Sequence, residues 1–262
     1  MKPFKSLLHM GAMIVALSVH SPVAADFVPP QAGELKLWLR ADAIDTNDPT
    51  RVRIDAGSVF VTNWVDSSSF SNDCVQLDPT LQPVFVPDLS GANNRPVVRF
   101  DGSGVRLLGT KNHLDGLTVI YVAYMNGGIP WGYNNSNRYF GAVGGTHYRV
   151  RDTSPYPSFS RMTGAFHLFA SVIHGVSIGA MGIIWVDGIE KASNTIGGAA
   201  TDIGTDMIGT RNGLNAFFDG DLAELLVYDV PLSAEELNRI GIYLETKYGL
   251  DTTYAPWPGM GV

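Results

Sequence analysis

Hydrophobic residues alternate singly and then shift to a helical spacing within residues 217–250, FFDGDLAELLVYDVPLSAEELNRIGIYLETKYGL. Leu222, Glu224, Leu226 and Tyr228 alternate with Ala223, Leu225 and Val227, so both faces are apolar except at Glu224. That pattern predicts a strand covered on both sides. After Asp229-Val230-Pro231 the spacing becomes helical, with Leu237, Ile240, Leu244 and Tyr248 on one stripe. Ser233 is placed as N-cap, Glu236 completes a capping box, and Leu232 is positioned to staple against Leu237. Lys247 falls in the last turn, Gly249 at the left-handed position beyond it, and Leu250 where it can fold back onto Leu244.

Earlier segments carry the period of two. In 33–41 (GELKLWLRA), Leu35, Leu37 and Leu39 share one face and Lys36, Trp38 and Arg40 the other, predicting a strand with one face in the core. Residues 59–66, 96–101, 117–125 and 166–173 are further β-rich runs, the last two read as central strands. Residues 182–192 predict a hairpin around Asp187-Gly188, a dipeptide suited to a type I′ turn. Residues 126–161, rich in Asn, Gly and Arg, read as loops between central strands. Strands parted by Gly, Asn and Asp turns, with one helix at the end, predict an all-β, two-sheet jelly-roll sandwich with a short C-terminal helix.

The segment GDLAELLVYDVPLSAEE…YLETKYGL resembles the closing strand and helix of bacterial laminin G-like, concanavalin A-like domains. LWLRADAI, TNWVDSSSFSND and NRPVVRFDGSG are similar to the opening half of the same domains. The resemblance implies that fold, and a domain that binds glycans or proteins. Some concanavalin A-like relatives cleave polysaccharides.

Residues 1–25 read as a signal peptide: Lys2 and Lys5 precede an apolar core, and Val23-Ala24-Ala25 offers a small-residue cleavage site. Export, extracellular or periplasmic, is therefore expected, with no membrane insertion once the leader is removed. Residues 26–262 carry no Pro-, Gly- or Ser-rich divider and no repeat, and are expected to form a single domain. Loss of the leader takes the net charge from −7 to −9, which disfavours nucleic acid and anionic membranes as partners. Cys74 is the only cysteine, so no intramolecular disulfide can form, and a buried thiol is expected.

Candidate chemistry falls in three places. Residues 126–161 hold Trp131, Tyr133, Tyr139, Tyr148 and Tyr156 among Asn135, Arg149 and other amides and charges. Rings can stack on the apolar face of a pyranose while polar groups bond its hydroxyls, so these residues form the expected glycan site; the open alternative is that the rings pack beneath the loop. Asp219-x-Asp221-x-x-Glu224 is similar in spacing to the Glu-x-Asp-x-x-Glu of jelly-roll endo-glucanases, but begins with Asp, and plain alternation would set Glu224 on the opposite face from Asp219 and Asp221. Tyr148, His147 and Arg149 are the corresponding set for a lyase. Related folds hold calcium on loops, which makes Asp66, Asp101, Asp187 and Asp219 its candidate ligands; the alternative is that each forms a turn. The four histidines after the leader form no HxH or HExxH pair.

The expectation is thus a secreted, non-catalytic carbohydrate-binding or adhesion domain. A glycoside hydrolase or polysaccharide lyase on the same fold, and a module that binds a cell-surface protein, are the alternatives.

Overall fold

The computed structural model describes residues 27–114, 117–134, 138–143, 147–151, 154–199, 201–211 and 215–255. Residues 1–25, read from the sequence as a leader, and Asn135 lie outside these residues, as do the side chains of His147 and Tyr148.

The strand Asp219–Tyr228 is the axis of the front sheet. The strand Thr118–Tyr133 runs antiparallel along one edge of it, and two strands share its other edge end to end: Leu35–Arg40 against residues 224–228, and Arg95–Asp101 against residues 219–222. Outward from Thr118–Tyr133 come Phe166–Ile173, Met181–Val186 and Ile189–Thr195. Beyond Arg95–Asp101 come Val84–Leu89, Ser58–Val61 and Val52–Asp55. The hairpin turns at Asp187-Gly188, both at positive φ (53 and 78°), as a type I′ turn requires.

The back sheet begins where the front one bends. Thr118–Tyr133 is 16 residues long, and its register shifts on both sides of Gly128 as the strand crosses from one sheet to the other. Gly128 has φ of 76°, and a Cβ there would collide with the Phe217 carbonyl, so only glycine fits the corner. Past the corner the strand pairs with Arg138–Val143 and Asp206–Ile208. His147–Arg151 and Ser158–Ser160 extend the back sheet on one side, and Leu107–Gly109, Cys74–Val75 and Asn63–Trp64 on the other.

Two apolar layers result. Leu37, Leu39, Val119, Tyr121, Leu222, Leu225 and Val227 meet Trp64, Trp131, Tyr133, Phe140 and Ile208 between the sheets. On the outer face of the front sheet, Trp38, Ile120, Ala223, Leu226 and Tyr228 are covered by Leu237, Ile240, Leu244 and Tyr248 of the helix Ala234–Tyr248. Both faces of the closing strand are buried, as its sequence predicts. Trp38, expected on an open face, is covered as well, because the helix lies over that side of the first strand.

The helix has its expected ends. Ser233 Oγ accepts from the Glu236 N–H at 3.3 Å, and Glu236 Oε2 accepts from the Ser233 N–H at 2.8 Å. Gly249 takes the left-handed conformation and the Leu250 N–H closes on the Glu245 carbonyl. The chain then runs back over the helix: Tyr254 lies against Gly241, where any side chain would strike its ring, and the Thr253 N–H donates to the Asp187 carbonyl at 2.9 Å. Among the described residues no helix is long and apolar enough to cross a membrane.

Candidate functional site

Trp131, Tyr133 and Tyr139 are fully buried, which corrects the expectation that they stack on a sugar. The stretch read as loop is strand: Ile129, Trp131 and Tyr133 keep a period of two through the intervening Pro130 and Gly132, and a ring without exposed area has no face for a ligand. Trp131 Nε1 donates to Asp206 Oδ1 at 2.6 Å, and the Tyr133 hydroxyl reaches the carbonyls of His113 and Gly204. Arg149 and Tyr156 are half-buried and hydrogen-bonded to each other at 2.7 Å, with the guanidinium 5.2 Å from the ring centre.

Beside Trp131 lies a buried charge pair. His113 Nδ1 sits 2.6 Å from the Leu114 carbonyl and Nε2 sits 2.7 Å from Asp206 Oδ2. Both partners accept only, so both ring nitrogens carry protons. Burial works against the charged ring, but the bonded Asp206 carboxylate outweighs it and holds the His113 pKa above its ordinary value. Cys74 is a buried free thiol in the same layer, its pKa pushed well up by burial.

The carboxylates of 219–224 separate in an unexpected way. The register slips between the pairs Val122/Glu224 and Ala123/Leu222, a bulge at Ala223. Ala223 and Leu226 consequently face the helix while Leu222 and Leu225 face the back sheet, and the extra residue turns Glu224 to the helix side along with Asp221. Plain alternation would have separated the two.

Glu224 is nonetheless unavailable to a substrate. It is fully buried and accepts from Trp38 Nε1 at 2.6 Å, the Tyr248 hydroxyl at 2.9 Å, the Tyr243 hydroxyl at 3.1 Å and Lys247 Nζ at 2.8 Å. Lys247 also bonds Asp42 at 3.0 Å. Burial, and then the Glu224 charge, raise the pKa of both tyrosines. Glu224 therefore ties the helix to the sheet, and its place as a catalytic carboxylate is withdrawn. Asp219 sits at the strand end, accepting from Asn126 at 3.3 Å.

Asp221 opens onto a cleft of about 760 Å³ beside the C-terminal end of the helix. One wall carries Tyr124 and Phe166, with ring centres 6.0 Å apart, together with Leu89 and Leu250. The polar lining comes from five places. Arg99 donates from Nε and Nη2 to the two oxygens of Asp221, at 2.7 and 2.9 Å, with about half of its own side chain exposed. His167 Nδ1 donates to Asp187 Oδ2 at 2.6 Å, and Asp187 Oδ1 accepts from the Leu168 N–H at 2.9 Å. Asp251 follows the helix, and Gly164 and Ala165 complete the rim. Asp187 and Asp221 were named in the sequence for other chemistry; Tyr124, Phe166, Arg99, His167 and Asp251 were not. Arg99 and Asp221 are cross-strand partners, a pairing legible only once the register is known.

The residues named for calcium do not fit one site. Both oxygens of Asp66 are taken by the chain, Oδ1 by the N–H groups of Trp38 and Ser68 and Oδ2 by the Ser68 hydroxyl and the Asn72 N–H. Asp101 accepts from the N–H and hydroxyl of Ser103, and Asp187 from His167 and Leu168. Among the described residues no three His, Cys, Asp or Glu side chains are grouped to hold a metal ion.

Solved structures similar to this chain share its fold. A Trypanosoma rangeli sialidase aligns with TM-score 0.52 and 12% identity, over 84% of this chain and 34% of that one. A botulinum neurotoxin type G receptor-binding domain gives TM-score 0.53 and 11% identity over 82% and 51%. A GH54 α-L-arabinofuranosidase gives 0.51 and 10% over 78% and 54%. The chain thus spans about a third to a half of the length of these structures. No curated protein matches it in sequence. A family model described as the Concanavalin A-like lectin/glucanases superfamily, of laminin G type, matches residues 111–238, a segment that includes Tyr124, Phe166, His167, Asp187 and Asp221 of the cleft. Over those residues, just under half of the chain, the sequence is similar to the Concanavalin A-like lectin/glucanases superfamily.

Proposed function

We propose that this protein is a secreted, non-catalytic carbohydrate-binding domain whose sugar site is the cleft of Tyr124, Phe166, Arg99 and Asp221. The carrying observation is the pairing of an aromatic wall with fixed polar groups in one cleft of about 760 Å³. A pyranose offers an apolar face to the rings, while the hydroxyls at its edge meet the Arg99–Asp221 pair and the His167–Asp187 pair. These polar groups are held by one another, so little ordering is left for the ligand to impose. Secretion rests on the leader-like 1–25.

Two of the similar structures are named as glycosidases and one as a receptor-binding domain, so both a binding role and a hydrolytic one belong to the fold's neighbourhood. Binding is favoured because Asp221 is locked in the fork of Arg99, whereas hydrolysis needs one carboxyl free to carry a proton and another free to attack or activate water. The test is a glycan array and an insoluble-polysaccharide pull-down on the mature protein, with calcium and with chelator, each sample checked for released sugars. Retention without release, weakened by Arg99→Ala, is expected. Release of reducing or unsaturated ends would replace this reading with an enzymatic one, and binding to protein alone would replace it with a cell-surface interaction module.

A further inference from the structure

The charge of the cleft is lopsided. Its lining holds three carboxylates, Asp187, Asp221 and Asp251, against one permanent cation, Arg99, whose charge is already spent on Asp221. The cleft also opens beside the C-terminal end of a 15-residue helix, where Gly249 and Leu250 line it. That end of a helix carries partial negative charge and favours cations. Beside Asp221 on the same sheet, its cross-strand partner Tyr124 and then Phe166 line the cleft, and ring faces also attract cations. Carboxylates, helix end and ring faces all act in the same sense.

Resting on the glycan reading above, we propose that the cleft selects sugars bearing a free amine, a deacetylated amino sugar, over their N-acetylated or acidic counterparts. The ammonium seats against Asp251, the exposed carboxylate of the three, while the ring stacks on Tyr124 and Phe166. An acidic sugar would bring its carboxylate toward these aspartates and be repelled.

The test uses three probes on the mature protein, followed by calorimetry: a glucosamine oligosaccharide, the N-acetylglucosamine oligosaccharide of equal length, and spermidine as an amine without a sugar. The glucosamine oligomer is expected to bind about tenfold more tightly than its acetylated partner, a preference lost in 1 M salt, where the screening length falls to about 3 Å. Asp251→Asn, at an exposed position, should remove most of that preference, and Ala165→Lys on the rim should abolish it. Equal affinity for the two oligosaccharides would overturn the amine selectivity and leave the glycan reading intact. Spermidine binding without binding of either oligosaccharide, or no binding of any probe, would overturn the amino-sugar proposal, while the glycan reading stands or falls on the array and pull-down above.

Discussion

Asp221 and Glu224 leave the same strand toward the same side and meet opposite surroundings. Glu224 lies beneath the helix, with two tyrosines, a tryptophan and Lys247 spending both of its oxygens. Asp221, itself mostly buried, lies at the edge of that cover, where the helix has ended, and its partner among the described residues is an arginine half in water. The same functional group is thus a rivet in one place and part of a cleft lining in the other. What separates them is the reach of a 15-residue helix.

The strongest way to break that contrast is Lys247→Met. It leaves the Glu224 charge buried without its cation and should lower unfolding stability by about 3–5 kcal/mol, measured by urea denaturation. Adding Glu224→Leu to Lys247→Met should recover most of the loss, since a buried ion pair replaced by apolar side chains of similar size is commonly near neutral. Arg99→Ala, the matching cut at Asp221, should cost under about 1 kcal/mol of stability, because the arginine is half exposed. If the two substitutions destabilise equally, the contrast is wrong.

Trp131→Phe comes next. It keeps a ring in the core but leaves Asp206 short of one donor, and should cost about 1–3 kcal/mol without altering sugar affinity. The His113–Asp206 pair adds a pH dependence of definite sign. His113 has a raised pKa in the folded protein, so its contribution is fully present below its unfolded value of about 6.5 and is lost as pH rises through the raised one. The urea midpoint should fall from neutral toward alkaline pH, and this fall should flatten in His113→Gln.

The smallest stability effect and the largest functional one fall together in the cleft. Tyr124→Ala should weaken oligosaccharide binding about tenfold, about 1.4 kcal/mol, as read by calorimetry. A Trp131→Phe protein that lost affinity as strongly would return the sugar site to the back sheet.

The closing strand and helix were legible because the signals in residues 217–250 agreed: alternation, capping box and C-terminal glycine each sit where the structure uses them. The crossing at Gly128 was not legible. Its surroundings, Asn126, Gly127, Gly128 and Pro130, carry turn chemistry, so a strand that bends between sheets reads as one that stops. That misreading put Trp131, Tyr133 and Tyr139 on a loop, although the spacing of two from Ile129 through Trp131 to Tyr133 already marked those positions as interior. The bulge at Ala223 was hidden for a related reason, because one inserted residue reverses faces without changing composition. The cleft was the least legible of all. Its residues come from seven separate segments, and nothing local distinguishes Arg99 or Asp251 from any exposed charge.

Amide hydrogen exchange of the mature protein, with and without a saturating bound oligosaccharide, tests the placement of the site most directly. Added protection is expected at residues 164–168, at the Asp187-Gly188 turn and at Gly249, Leu250 and Asp251, with the back-sheet strands unchanged. Protection centred on Arg138–Val143 and His147–Arg151, with the cleft unaltered, would contradict it.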